Sequence, residues 1–284
     1  MSVVARRRAA ALLVLAAVAY GGWRLYERFW PFGDIHSGSA RAHGAQILRY
    51  DIRSRFARRT LPQTAIAPDD GADGRPLLVF LHGRGGGGNE GLANEDFLAA
   101  LADLGDRAPA VVFPSGGDHS YWHARADGDW ASYVLREVIP EAVRRLHADP
   151  RRVAIGGISM GGYGAYEVAR VAPGRFCAVG GHSAAMWLSG GETPAGAFDD
   201  AADFAARDLV ALATQQGSAP WKGARLWLDG GDRDPFLRAD TTLADGLGIR
   251  MHVWPGGHES AYWHAHYAAY LRFYAGALAR CRRE

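Results

Sequence analysis

Residues 152–165 read RVAIGGISMGGYGA and place Ser159 between a short apolar run and a segment with helical spacing. The run RVAIG is typical of a strand buried on both faces, and MGGYGAYEVARV after Ser159 is typical of a helix. A serine at such a junction, flanked by Gly157 and Gly161, fits the G-x-S-x-G pattern of a nucleophile held on a sharp turn. With 37 glycines among 284 residues the pattern also arises by chance, so its meaning depends on the rest of the chain.

Similar apolar runs recur along the chain, with helical spacing between them. Besides RVAIG they are LLVFL (77–81), AVVFP (110–114), FCAVG (176–180), RLWLD (225–229) and RMHVW (250–254). The helical segments are roughly 92–104, 131–147, 160–171, 236–247 and 261–280. This alternation predicts an α/β fold with a mostly parallel central sheet and helices on both faces. Two earlier segments, ILRYDIRS and TLPQTAIAP, are expected to form antiparallel strands.

The N-terminus has the layout of an export signal. Arg6–Arg8 form a charged region, followed by the uncharged apolar run AAALLVLAAVAYGGW (9–23). The run is shorter than the about 20 residues of a full membrane span, and Ala17 and Ala19 fit a cleavage site. The aromatic residues that follow would instead suit an uncleaved anchor. Residues 1–30 are therefore expected to be a signal peptide or a membrane anchor.

Charge and cysteine content limit the classes of partner. A net charge of +2 spread along the chain argues against a nucleic-acid-binding protein. The densest basic stretch, residues 49–59, is interpreted as a solvated strand edge, with binding to an anionic surface as the alternative. Cys177 and Cys281 have no metal-site spacing. Cys177 is expected to be a packed core thiol, although export would permit a disulfide between the two cysteines.

Gly-rich turns with polar residues follow five of the predicted strands. In a parallel sheet, ligands bind at the carboxyl ends of the strands. The turns found there are HGRGGGGN, SGGDHSYWH, GISMGG, GGDRDPF and PGGHESAYW. Their convergence on one edge of the sheet predicts an active site around Ser159.

A serine hydroxyl becomes a nucleophile only when a base lies within hydrogen-bond reach. His258 is the expected base, because it lies in the loop after the last strand. His252 lies within that strand and is interpreted as structural. His264 and His266 fall in the following helix and are interpreted as surface or packing residues.

The base needs an acid to orient it, and the order Ser, acid, His places this acid after RLWLD. Asp229, Asp232 and Asp234 compete for the role. Asp234 is preferred, with Asp232 second.

Backbone N–H groups are expected to stabilise an oxyanion. One is the N–H of Met160, directly after the nucleophile, and the second comes from the turn after His82–Gly83, either Arg84 or Gly85. His82 itself is expected to buttress this loop. The run 85–88 would let backbone amides approach a substrate, or it is simply a flexible surface loop. Residues 85–88 are not followed by the G-K-[ST] or G-x-G-x-x-G patterns of phosphate-binding loops, so phosphate binding is weakly indicated.

Aromatic residues crowd the loops between the predicted strands and helices. They suit either the walls of a substrate pocket or packing beneath long loops. They are Tyr121, Trp122, Trp130, Trp187, Trp221 and Trp263.

With these residues assembled, the chain resembles the esterase group of the α/β-hydrolases. This group includes esterase D-like, feruloyl and acetyl-xylan esterases, enterochelin-esterase-like proteins and antigen 85 mycolyltransferases. The resemblance covers roughly residues 46–280. It is carried by LLVFLHGRGG, YWHARADGDWASYVLREVIPEA, IGGISMGGYGA, GGDRDPFL and PGGHESAYW.

The resemblance implies a carboxylic-ester hydrolase that acts through an acyl-enzyme. The acid of this group lies two residues before the Phe of a G-x-x-D-x-F turn, which is Asp234 here, and the His of the last Gly-rich loop is His258. A small-molecule, carbohydrate or lipid ester is the expected substrate, and no metal or organic cofactor is implied. An acyltransferase similar to the mycolyltransferases is the alternative enzyme. A catalytically inactive binding protein on the same fold is opposed by the presence of all three residues.

Two departures from subgroups of the family argue against formylglutathione as the substrate and against mycolyl transfer, in that order. Formylglutathione hydrolases carry a cysteine in the loop after the first core strand, whereas this chain has HGRGGGG there. The mycolyltransferases lack the HG turn found here at His82–Gly83.

The expected organisation is an N-terminal signal or anchor, a linker at 31–45 and an α/β-hydrolase catalytic domain at 46–284. The catalytic domain is expected to be extracytoplasmic, secreted or anchored, with membrane contact only through the N-terminal segment.

Overall fold

The computed structural model describes residues 38–69, 73–85 and 88–281, which belong to the unit Ser37–Glu284. The expected signal peptide or anchor, residues 1–30, lies outside the described residues. Within the described ranges, no helix is both long enough and apolar enough to cross a membrane.

A nine-stranded sheet with the order β1-β2-β3-β5-β4-β8-β9-β10-β11 forms the centre of this unit. Neighbours from β5 to β11 run parallel, whereas β1, β2, β3 and β5 are joined by antiparallel pairs. The mostly parallel sheet and the early antiparallel pair are thus confirmed. The nine strands are β1 (Gly38–Ala42), β2 (Ala45–Ser54), β3 (Arg59–Pro68), β4 (Leu77–Leu81), β5 (Ala110–Pro114), β8 (Val153–Ser159), β9 (Ala178–Ala184), β10 (Arg225–Gly231) and β11 (Met251–Trp254). Strands β6 (Ala124–Arg125) and β7 (Gly128–Asp129) form a separate antiparallel pair.

Helices cover both faces of the sheet, as predicted. They are α1 (Gly88–Gly91), α2 (Glu95–Ala102), α3 (Trp130–Tyr133), α4 (Ile139–Leu146), α5 (Met160–Val171), α6 (Ala201–Ala205), α7 (Leu209–Gln216), α8 (Leu237–Leu247) and α9 (Ser260–Arg280). Alternate residues of β4 pack into different cores: Leu77, Val79 and Leu81 share one with residues of α3, α4, α5, α7 and α8, while Leu78 and Phe80 share the other with residues of α2 and α9. This two-sided burial explains why β4 is apolar throughout.

Three features of the fold differ from the sequence expectations. The sheet begins inside the segment expected to be a linker, because residues 38–42 pair with β2 in a tight hairpin. Helices α6 and α7 lie in a stretch where no helix was predicted. The single helix expected at 131–147 is interrupted by a π-helical turn at Val134–Val138.

Cys177 and Cys281 form a disulfide, with their Cα atoms 5.7 Å apart. The interpretation of Cys177 as a free core thiol is wrong, although the residue is buried as expected. The reason lies in the topology, since the end of α9 returns to the start of β9. A bridge across a sequence separation of 104 stabilises the fold by on the order of 4–5 kcal/mol through the smaller entropy of the unfolded chain.

Candidate active site

The strand order brings the loop after β4 next to the turn after β8. Strand β4 has β5 on one side and β8 on the other, so successive crossovers leave it in opposite directions. Such a switch point opens a crevice at the carboxyl ends of the strands. Gly83, after β4, lies next to Ser159, so that a Cβ added at Gly83 would be 3.3 Å from the Cβ of Ser159.

Ser159 ends β8 on a strained turn, and α5 begins at the next residue. Its backbone has φ 52° and ψ −119°, a conformation that is costly for a residue with a side chain. A Cβ on Gly157 would lie 2.6 Å from the carbonyl carbon of Gly161 and from the carbonyl oxygen of Leu81. The glycines of the motif are therefore required by the close approach of β8, α5 and β4. The predicted sharp turn at Ser159 is confirmed.

The structure brings Ser159, His258 and Asp234 into one hydrogen-bonded chain. The Oγ of Ser159 lies 2.8 Å from Nε2 of His258, and Nδ1 of His258 lies 3.2 Å from Oδ2 of Asp234. With the proton on Nδ1, His258 donates to the carboxylate and accepts from the serine hydroxyl. This is the geometry of a nucleophile, a base and an orienting acid.

The surroundings of Asp234 keep its carboxyl ionised. Burial by itself would raise the pKa, but hydrogen bonds from His258, from the Ser183 hydroxyl and from the backbone N–H of Phe236 outweigh it. The pKa of Asp234 is therefore lowered from its ordinary value. The turn after β10 thus presents a fixed negative charge to His258.

Ser183 is a site residue that sequence reasoning missed. It lies in β9 with φ 52°, donates its hydroxyl to Asp234 and places the same oxygen 3.3 Å from Nδ1 of His258. In the sequence it is one serine in the run AVGGHSAAMW, without the flanking pattern of Ser159. A usable signal was its position just beyond the predicted strand FCAVG (176–180), since ligands bind at the carboxyl ends of strands in a parallel sheet.

The competing aspartates have other roles in the structure. Asp232 is exposed and accepts from the N–H of Gly256. Asp229 is fully buried and bonds to His182, away from His258.

The competing histidines also lie away from Ser159. His252 in β11 stacks on Trp227 with ring centroids 3.7 Å apart. His264 contacts Asp96, and His266 stacks on Trp254.

His82 buttresses the loop after β4, as expected. Its Nδ1 donates to the Gly83 carbonyl at 2.6 Å, and its Nε2 accepts from the Gly116 N–H at 2.8 Å. Burial lowers the pKa of His82 to about 4, so the ring is neutral and can serve as donor and acceptor at once.

This arrangement favours Arg84 over Gly85 as the second oxyanion donor. The Gly83 carbonyl turns toward His82, and in a trans peptide the following N–H, that of Arg84, points the opposite way. The N–H of Gly85 already donates to the Asp118 carbonyl at 3.0 Å. The first predicted donor, Met160, opens α5, where N–H groups have no acceptor within the helix. Both oxyanion donors remain predictions.

Ser159 opens onto a cavity of about 490 Å³ with mostly apolar walls. Tyr121, Phe236 and Trp263 contribute aromatic surface, and Arg84 lies at the wall formed by the β4 loop. Of the aromatic residues singled out in the sequence, Tyr121 and Trp263 thus line the cavity. Four others are buried in packing: Trp122, Trp130, Trp187 and Trp221. No cluster of potential metal ligands occurs among the described residues.

Comparison with known proteins agrees with this geometry. The Esterase family model matches residues 60–274. The chain belongs to the Esterase family. This membership and the observed fold place the chain in the α/β-hydrolase superfamily, as predicted.

Curated relatives of this esterase match it only in part. Esterase Rv1288 of Mycobacterium tuberculosis is 30% identical over 129 residues, which are 42% of this chain and 28% of the relative. The iron(III) salmochelin esterase of Escherichia coli is 29% identical over 141 residues, 48% of this chain and 33% of the relative. The chain therefore spans about a third of the length of these relatives.

Solved structures share the fold over most of the esterase. A ferulic acid esterase has a TM-score of 0.70 and 21% identity, with 82% of this chain and 98% of that one covered. An S-formylglutathione hydrolase from Agrobacterium tumefaciens has a TM-score of 0.68 and 18% identity, with 85% and 98% covered. At these identities the likeness establishes the α/β-hydrolase fold.

Proposed function

We propose that this esterase hydrolyses carboxylic esters through an acyl-enzyme on Ser159. The observation that carries the proposal is the hydrogen-bonded chain from Ser159 through His258 to Asp234 at the rim of an apolar cavity. Family membership supports the reaction class.

In the first half-reaction the Oγ of Ser159 adds to the ester carbonyl while Nε2 of His258 takes the hydroxyl proton. Asp234 holds the ring and stabilises the imidazolium that forms. The negative oxygen of the intermediate is stabilised by the N–H of Met160, at the start of α5, and by the N–H of Arg84, in the loop after β4. Collapse expels the alcohol, which receives the proton from His258.

In the second half-reaction water replaces the alcohol. His258 accepts a proton from water, and the resulting hydroxide adds to the acyl carbonyl. Collapse of this intermediate breaks the bond to Ser159, whose Oγ takes the proton back from His258, and the carboxylic acid departs.

A fluorophosphonate probe tests the nucleophile. We expect one adduct per chain, mapped to Ser159 by peptide mass spectrometry, and no adduct in Ser159→Ala. Labelling of another residue at an equal rate would contradict the assignment.

Product analysis tests whether water or an alcohol takes the acyl group from Ser159. Hydrolysis predicts that the free acid accounts for the consumed ester even when a sugar alcohol is present. A transesterified sugar as the main product would instead establish the alternative of acyl transfer.

We infer that the catalytic domain works outside the cytoplasm. The disulfide Cys177–Cys281 supports this, because such bonds persist in oxidising compartments. The charged and apolar N-terminal sequence supports export as well. Cell fractionation should recover the protein in an extracytoplasmic fraction with no free thiol. A reduced cytoplasmic protein would refute the inference, and the mass of the mature N-terminus decides whether the signal is cleaved.

A further inference from the structure

The cavity at Ser159 has one wall with a permanent positive charge. Among the described residues that line it, Arg84 is the one with a guanidinium, and no aspartate or glutamate lies with it. The other walls are largely apolar or aromatic. A cation beside such a surface attracts anions more strongly than it would in open water.

Arg84 is not neutralised by a neighbouring acid. Its Nη2 donates to the backbone carbonyl of Ala195 at 3.3 Å, and it makes no ion pair with a described residue. Arg125, in the short strand β6, provides the contrast, because its guanidinium is held by Asp199 at 3.0 Å and by the His119 carbonyl. Arg125 therefore braces a loop, whereas the charge of Arg84 is available to a ligand.

Tyr121 lies beside Arg84 and is held there by unusual backbone geometry. Tyr121 and Trp122 have φ of 46° and 59°, a region that residues with side chains rarely adopt, and both are buried. Burial raises the pKa of Tyr121, and the nearby charge of Arg84 opposes this rise. The phenol thus stays protonated and can donate a hydrogen bond next to the guanidinium.

Sheet order assigns this wall to the acyl side of the substrate. Arg84 follows β4 and Tyr121 follows β5, on one side of β8; His258 follows β11 on the other side. Under the proposed function, on which this inference rests, His258 protonates the departing alkoxide, so the alcohol lies on its side of Ser159. The side of the cavity away from His258, where the Arg84 side chain lies, is then left for the acyl group.

We propose that the cavity selects acyl groups with a terminal carboxylate, as in half-esters of dicarboxylic acids, and that Arg84 determines this specificity. A planar guanidinium suits a carboxylate, which can accept two hydrogen bonds from it. The ester bond breaks between the carbonyl carbon and the alcohol oxygen. Water supplies the new hydroxyl oxygen of the acid and replaces the proton given to the alcohol, so the products are a dicarboxylic acid and an alcohol.

The test compares two substrates with the same leaving group. The p-nitrophenyl ester of glutaric acid has a free terminal carboxylate, whereas in p-nitrophenyl methyl glutarate the carboxylate is masked as a methyl ester. We expect wild-type kcat/KM to favour the free carboxylate by about tenfold, the size of one partly solvated charge-assisted hydrogen bond. Added salt should reduce this preference, because it screens a partly exposed charge.

Arg84→Gln should lower the preference about tenfold, and Arg84→Lys should retain part of it. Both variants keep the backbone N–H of residue 84. Arg53→Gln, which removes the same charge from an exposed position on β2, should leave the ratio as in the wild type. Ratios are used because each variant then serves as its own reference for folding and for the chemical step.

The outcomes separate the two proposals. If Ser159-dependent hydrolysis of both esters occurs at equal kcat/KM, or if Arg84→Gln leaves the ratio unchanged, the specificity proposal is wrong and the proposed function stands. If Ser159→Ala hydrolyses both esters as fast as the wild type, the proposed function itself is wrong.

Discussion

Strand β10 and the turn after it carry two buried aspartates, and each bonds to a histidine whose other nitrogen contacts a hydroxyl. Asp234 bonds to His258, which contacts Ser159. Asp229 bonds to His182 at 2.6 Å, and Nε2 of His182 lies 2.8 Å from the hydroxyl of Tyr274. The molecule thus contains the same order of groups twice.

We call the hydrogen-bonded series Ser159–His258–Asp234 the outer chain and Tyr274–His182–Asp229 the inner chain. The two differ in access to solvent and in how many hydrogen bonds the aspartate accepts. The side chain of His258 is 22% exposed beside the cavity, while those of His182 and Asp229 are 0% exposed. The Asp229 carboxylate also accepts bonds from Trp227 and from two tyrosines of α9, Tyr262 and Tyr270. An Asp–His–hydroxyl chain is therefore not sufficient for catalysis. The inner chain ties β9, β10 and α9 together, and the outer one has an open face where an ester can reach its hydroxyl.

The largest effect that separates the two chains is expected from Asp234→Asn. The amide cannot stabilise the imidazolium and favours the wrong tautomer of His258, so kcat should fall on the order of 10³–10⁴-fold. The free energy of unfolding should change far less. Steady-state hydrolysis of p-nitrophenyl acetate and urea denaturation measure the two quantities. A loss of less than tenfold would remove Asp234 from the catalytic chain.

Asp229→Asn should show the opposite pattern. An amide at this position presents an NH₂ group to side chains that donate to the Asp229 carboxylate, among them Tyr262 and Tyr270, in the buried core. The free energy of unfolding should therefore fall by about 3 kcal/mol or more. The activity of the fraction that remains folded should be retained. Asp232→Asn, at an exposed position on the same turn, is the matched control and should cost less than about 1 kcal/mol.

The buried His82 sharpens the comparison because its ring bonds to backbone groups instead of to an aspartate. Its pKa of about 4 lies below the ordinary 6.5, so between these values the unfolded chain binds a proton that the folded chain does not. The free energy of unfolding should therefore fall as the pH drops from 6.5 to 4, with a contribution from His82 of up to about 3 kcal/mol. His82→Gln should flatten this part of the pH profile in urea denaturation. An unchanged slope would contradict the buried neutral ring.

The smallest effect is expected from Ser183→Ala. Loss of its hydroxyl removes one of several donors to Asp234 and should lower kcat about tenfold, the cost of one charge-assisted hydrogen bond. KM should stay near the wild-type value, because Ser183 does not line the cavity. The acid limb of the pH–kcat profile should also shift. A change in KM alone would show that Ser183 only shapes the pocket.

The strand ends, Ser159 and His258 could be predicted because each depends on local sequence or on chain order. Apolar runs mark the strands, glycines mark the turn at Ser159, and chain order points to His258. The choice among Asp229, Asp232 and Asp234 needed the family resemblance, because it depends on a turn in which neighbouring residues face opposite sides.

What could not be predicted depends on contacts distant in sequence. Ser183 meets Asp234 across 51 residues, and Cys177 meets Cys281 across 104. The inner chain joins β9, β10 and α9, and in the sequence His182 has no feature that distinguishes it from a packing residue. Such pairs arise from the order of strands in the sheet, which apolar spacing does not encode.

The most direct test of the central claim removes the hydroxyl from each chain and compares the two variants. Ser159→Ala should lower kcat for p-nitrophenyl acetate by about 10⁴-fold or more and leave the free energy of unfolding within about 1 kcal/mol. Tyr274→Phe should keep the activity per folded molecule and lower the free energy of unfolding by about 1–2 kcal/mol. Retained hydrolysis in Ser159→Ala, or loss of catalysis in folded Tyr274→Phe, would contradict the assignment of chemistry to the outer chain.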